Sequence, residues 1–203
     1  MRSQSKNNAG FTLIELMVTV AIAAVIMGVA IPSFTDLIAR NRMTANANEL
    51  ITALNLARSE AVKRGMSVTV RKVDNKSSTK KSNGANWEDG WDVFTDVDDD
   101  GEFDAGNDQL IRTYSALKKG YTLRGNQNFV NSIRYEADGT SSNIGSFVTC
   151  EGGNIVGAKL IIVNMIGRVR LGADADTNLI PEKEATATKP AADITSCTDI
   201  TGF

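Results

Sequence analysis

The feature that most constrains this chain is an apolar run, FTLIELMVTVAIAAVIMGVAI, at residues 11–31, carrying the single charge of Glu15. About 20 apolar residues suffice for a helix to cross a bilayer. The residues before the run are polar, include Arg2 and Lys6, and end at Gly10. Basic flanks stay cytoplasmic, which sets the C-terminal bulk outside the inner membrane. Cleavage as a secretory signal would need small residues after the run, but Pro32 and Ser33 follow directly, without an A-x-A pattern. An ionised carboxylate in hydrocarbon is costly, so Glu15 is expected to be paired and functional. The simpler alternative is that it snorkels to the interface.

The helical pattern continues past the run. Phe34, Leu37, Ile38, Ala47, Leu50, Ile51, Leu54, Ala57, Ala61 and Val62 recur at spacings of three and four, giving an amphipathic helix with one apolar stripe. Pro32 removes a backbone donor and is expected to kink or locally melt the junction. Lys63, Arg64 and Gly65 suit a helix C-terminus. Beyond Gly65 the period changes to about two. Strands are expected at residues 67–73, 91–95, 109–114, 121–124, 129–135, 146–150, 158–163 and 168–171, with turns at Asp138-Gly139, Gly152-Gly153 and 164–167. The fold class is therefore α+β: a long N-terminal helix, residues 11–64, packed on a mostly antiparallel β head, residues 65–171. Residues 172–203 are expected to form an irregular C-terminal tail.

Composition narrows the chemistry. The chain has 203 residues and no histidine, which removes Ser-His and Cys-His nucleophile pairs and His-ligated zinc. Two cysteines cannot form a four-cysteine zinc site. The reading is accordingly not an enzyme, with no catalytic residues. A net charge of −2 gives no bulk attraction to DNA or anionic lipid. The charge is unevenly spread: residues 58–81 hold eight basic side chains, and residues 87–108 hold ten acidic ones and no basic one.

The junction Gly10-Phe11-Thr12-Leu13-Ile14-Glu15, with a basic leader before it and Pro32 after one span, resembles the type IV pilin family. Ala57-Arg58-Ser59-Glu60-Ala61 resembles a stretch of its pseudopilin H and FimT/FimU-type minor pilins. The resemblance implies a leader at residues 1–10, cleavage between Gly10 and Phe11 by prepilin peptidase, and N-methylation of Phe11. It further implies an inner-membrane single-pass subunit with a periplasmic head. An inner-membrane assembly platform would draw it from lipid into a pilus or pseudopilus beside other major and minor pilins. There Glu15 would pair with a neighbour's Phe11 amine. In the periplasm Cys150 and Cys197 are expected to form a disulfide tethering the tail. A pilus role in assembly and priming, serving twitching motility, adhesion or DNA uptake, is favoured over a FimT-like DNA-binding minor pilin for natural transformation and over pseudopilin H of a type II secretion system. A membrane-anchored domain without a filament is a third reading.

Two head sites carry further expectations. Asp96, Asp98 and Asp100 fall at positions 1, 3 and 5 of a calcium-loop pattern, with Gly101 at 6, Phe103 at 8 and Asp104 at 9. Glu102 adds another carboxylate. Position 12 is Asn107 instead of the bidentate Glu, and Asp108 comes one residue late. Weak calcium binding and a solvated acidic turn both fit; no other cofactor is expected. Gly167-Arg168-Val169-Arg170 resembles the GRxR motif of FimT-type pilins, implicated in DNA uptake. Arg168 and Arg170 share one strand face and can reach phosphates, or merely line a solvated face that buries Val169. The lysines Lys76, Lys80 and Lys81 form a basic loop. Trp87 and Trp91 are expected to anchor the core.

Overall fold

The computed structural model describes residues 10–74, 84–183 and 192–198. The leader residues 1–9, the lysines Lys76, Lys80 and Lys81, and the remainder of the tail lie outside the described residues. The chain divides into two units, Met1–Ala39 and Arg40–Phe203, and helix α1 (Leu13–Arg64) contributes to both.

In the first unit, α1 is apolar all round, and its side chains from Leu13 to Ile31 are exposed except for the half-buried Ala23 and Ala30. Its backbone stays helical through Pro32, so the local melting expected there is not observed. Ser33 Oγ donates to the Val29 carbonyl (3.2 Å) beside the position where Pro32 lacks an amide.

In the second unit, α1 buries Met43, Ala47, Leu50, Leu54, Ala57 and Ala61, a stripe spaced four, three, four, three, four. That stripe is the core seam. It is shorter than the pattern suggests, because Phe34, Leu37, Ile38 and Val62 are all more than half exposed. At Gly65 (φ +66°) the chain turns left-handed, and the amides of Gly65 and Met66 both donate to the Ala61 carbonyl (2.9 and 3.3 Å).

Among the described residues ten strands follow: β1 (Val68–Lys72), β2 (Trp91–Thr95), β3 (Leu110–Tyr114), β4 (Tyr121–Gly125), β5 (Ser132–Tyr135), β6 (Gly145–Glu151), β7 (Asn154–Val163), β8 (Val169–Leu171), β9 (Glu182–Lys183) and β10 (Ala192–Asp193). They form two four-stranded antiparallel sheets, ordered β3-β2-β1-β5 and β4-β6-β7-β8, and a two-stranded ladder of β9 and β10. Phe129, expected inside a strand, lies in a 3-10 turn instead.

Inner residues of both sheets meet the α1 stripe in one core: Val68, Val70, Trp91, Val93 and Ile133 from the first sheet, Leu123, Phe147, Ile161 and Val163 from the second. Trp87 and Trp91 are fully enclosed there, as expected. Trp87 Nε1 donates to the Phe129 carbonyl (2.8 Å), and Trp91 stacks on Tyr114 at 5.4 Å. A second core occupies the opposite face of the β4-β6-β7-β8 sheet, where Val148, Cys150, Ala158, Leu160 and Ile162 meet Ile194 and Cys197. The Cys150–Cys197 disulfide is present and fastens the C-terminal segment over that face. The tail is thus more ordered than its composition suggests: β9 and β10 form within it, and Ile194 is 1% exposed.

Candidate functional site

The N-terminal site is built by the first turn of α1. Thr12 is the cap residue. Its Oγ1 accepts from the Glu15 amide (3.3 Å), and Glu15 Oε2 accepts from the Thr12 amide (3.4 Å) and hydroxyl (3.4 Å). This reciprocal pair is a capping box, and it satisfies amides that a helix start leaves without partners. The T-x-x-E spacing before an apolar run is its sequence signal, so the Thr12 role is readable at positions 12 and 15. The carboxylate also faces the positive end of the helix dipole. Gly10 and Phe11 precede the cap, and Phe11 is 75% exposed.

The acidic turn lies on the outer face of the β3-β2-β1-β5 sheet. Side chains alternate across strands, so Thr69, Arg71, Phe94, Ser132 and Arg134 face away from α1. Each meets the turn. Asp96 Oδ2 accepts from Thr69 Oγ1 (2.7 Å) and the Gly101 amide (3.1 Å). The Arg71 guanidinium holds the Gly101 carbonyl and pairs with Glu102. Arg134 holds the Asp99 carbonyl and carboxylate. The Phe103 ring meets Phe94 edge-on at 5.5 Å. A Cβ at Gly101 (φ +76°) would come within 3.3 Å of Ser132 Oγ.

Two arginines and a buried aspartate therefore pin the turn down. Asp108 closes it, accepting from the Val97 amide (3.1 Å) through Oδ1 and the Asp104 amide (2.9 Å) through Oδ2. Its position one residue past the calcium template hides that role. One carboxylate oxygen from each of Asp96, Asp98 and Asp100 lies within 4.8 Å of the others; Glu102 and Asp104 are not part of that group. Burial pushes the Asp96 carboxyl up, against the lowering effect of its two hydrogen bonds. The Asp104 carboxyl is also raised, first by desolvation and then by Asp100, Asp98, Asp108 and Glu102.

Arg168 and Arg170 are both exposed, Arg168 in the turn before β8 and Arg170 on it, while Val169 is half-buried. The glycine of the same motif has a packing reason. A Cβ at Gly167 (φ +75°) would stand 2.1 Å from the Gly139 carbonyl oxygen, where two turns touch. Arg58 on α1 ties those turns together, its Nε donating to the Gly139 carbonyl and an Nη to the Ile166 carbonyl, both at 2.9 Å. The arginine of Ala57-Arg58-Ser59-Glu60-Ala61 therefore fastens helix to head. Glu60 pairs with Arg64 (2.6 Å) and Lys63 (3.4 Å) along the helix.

Comparison with known proteins agrees with this architecture. Residues 5–31 match the prokaryotic N-terminal methylation motif. Two curated fimbrial proteins of Pseudomonas aeruginosa are each 40% identical over 63 residues, which is 31% of this chain and 40% of theirs. The type IV minor pilin FimU of Pseudomonas aeruginosa shares the fold. One of its crystal forms covers 78% of this chain and 96% of its own at a TM-score of 0.56, and another covers 76% and 98% at 0.53, each at 20% identity. Residues 46–167 match the Type II transport protein GspH, and with that match over more than half its length the chain belongs to the Type II transport protein GspH family.

Proposed function

We propose that this chain is a minor pilin-type filament subunit, cut after Gly10 by prepilin peptidase, methylated at Phe11 and held in the inner membrane by residues 11–31 with its head in the periplasm. The observation that carries this reading is an apolar helix of membrane-spanning length, none of it buried by the described residues, that begins at the Thr12–Glu15 box. Such a helix needs lipid or other helices around it. Removing the leader would place an ammonium at Phe11, beside the positive end of α1. That charge is drawn to a carboxylate, and Glu15 of a neighbouring subunit would supply it and set the axial register. In the single chain the same carboxylate is occupied by Thr12, so assembly exchanges a local cap for an intermolecular pair.

The test separates those two roles. Mass spectrometry of the native protein is expected to find a chain beginning at methylated Phe11. Glu15→Val is expected to insert in the membrane yet largely drop out of sheared filaments. Thr12→Ala breaks the cap but keeps the charge, so it is expected to enter filaments nearly as well as wild type. Equal incorporation of Glu15→Val and wild type would remove the pairing role.

A second reading, a pseudopilin of a type II secretion system, draws support from the family matched over residues 46–167. Deletion of the gene distinguishes the two: loss of twitching favours the pilus, and loss of protein secretion favours the pseudopilus. DNA capture has no part in this proposal. Its residues would be Arg168 and Arg170, which are followed by a segment, residues 171–203, holding six acidic residues against two lysines. A gel shift that falls steeply with salt and is lost in Arg168→Gln with Arg170→Gln would reinstate it.

A further inference from the structure

We propose that the acidic turn on the outer sheet face is a calcium site, with Asp96, Asp98 and Asp100 as its protein carboxylates. Two independent observations point there. The first is convergence: an oxygen of each of the three residues lies within 4.8 Å of the other two. Oxygens bound to one calcium at 2.3–2.6 Å can be at most about 5 Å apart, so the group fits a single ion. The second is Asp96 itself. Its side chain is 1% exposed, and its Oδ1 is buried without a hydrogen-bond partner among the described residues. A buried carboxylate oxygen left unpaired is costly unless a cation or donor meets it.

The other oxygen of Asp96 is fixed by Thr69 and Gly101, so Oδ1 has little freedom to turn elsewhere. The nearby cations do not take its place. Arg71 is spent on the Gly101 carbonyl and Glu102, and Arg134 on Asp99, its carbonyl and Glu136. Those pairs tie down the flank of the turn and leave the three alternate aspartates facing one another. Asp98 and Asp100 are exposed, so water completes the coordination shell. Calcium accepts six to eight oxygens in irregular geometry, whereas magnesium demands a near-ideal octahedron and sheds water reluctantly. A short turn offering three carboxylates and no bidentate Glu suits calcium, with a Kd on the order of 10⁻⁴–10⁻³ M, as in extracellular modules.

The experiment uses the full chain in detergent micelles. Calcium chloride is titrated by calorimetry, and thermal unfolding is followed with about 5 mM calcium or about 5 mM magnesium, where mass action predicts a rise of a few degrees for calcium alone. Asp98→Asn with Asp100→Asn is expected to abolish both the heat and the rise. Asp98→Asn alone alters one exposed side chain and serves if the double variant folds poorly; it is expected to lose most of the rise. Three results would overturn the site: no calcium heat with an unchanged midpoint, an equal rise with magnesium, or a full rise in folded Asp98→Asn.

Discussion

Each four-stranded sheet turns one face toward the α1 stripe and must close the other, and the two outer faces are closed by opposite chemistry. Over β4-β6-β7-β8, the C-terminal segment lays down Ile194 and Cys197, which with Val148, Leu160 and Ile162 form an apolar layer locked by a disulfide. Over β3-β2-β1-β5, the covering turn supplies one aromatic ring, that of Phe103, and otherwise carboxylates and backbone carbonyls held by Arg71 and Arg134. The first cover gains from buried apolar area and from a constraint on the unfolded chain. The second depends on charge balance, which solvent and ions can alter. The same fold thus carries one face built to stay closed and one whose closure depends on conditions.

That contrast breaks most readily at the disulfide. Cys150→Ala with Cys197→Ala opens a loop with a sequence separation of 47 and should lower stability by about 3–4 kcal/mol. In hydrogen exchange of the full chain in detergent, protection should fall in β6 and β7 before β1 and β2. Equal losses in both sheets would mean that the cover is not local. Ile194→Ala comes next, expected to cost about 2–3 kcal/mol by chemical unfolding, because its fully buried side chain would leave a cavity. Phe103→Ala is the smallest, about 1 kcal/mol, since the ring is 42% exposed and has one aromatic partner. If it cost as much as Ile194→Ala, the two covers would be energetically alike and the comparison would fail.

Much of this architecture is visible in periodicity alone. The three-and-four spacing from Ala47 to Ala61 specifies the buried stripe, and β-branched and aromatic runs locate β1, β2, β3 and β6 to within a residue or so of their ends. Periodicity does not report where a partner surface ends, so Phe34, Leu37 and Ile38 match the stripe yet are exposed. Nor can it see a cover: Ile194 is a lone apolar residue among polar ones, and only the fold shows the sheet face beneath it. The candidate sites divide the same way. Alternating aspartates are legible as a turn that can converge, and the structure brings Asp96, Asp98 and Asp100 together. The arginines that pin the turn lie on β1 and β5, some 30 residues away, beyond any local pattern. Gly167 reads as part of a motif, while its steric reason is the Gly139 backbone of another turn.

The α1 stripe has a mechanical consequence. The head grips α1 along the stretch from Met43 to Ala61, at Met43, Ala47, Leu50, Leu54, Ala57 and Ala61, with Arg58 pegging two turns near the far end. A tug along the helix axis therefore loads these contacts in shear, side by side, so that they must yield together. A tug across the axis would peel them one at a time. The joint is strong along the direction in which a helix is drawn and weak across it, so a filament subunit on this plan resists stretching better than it resists prying.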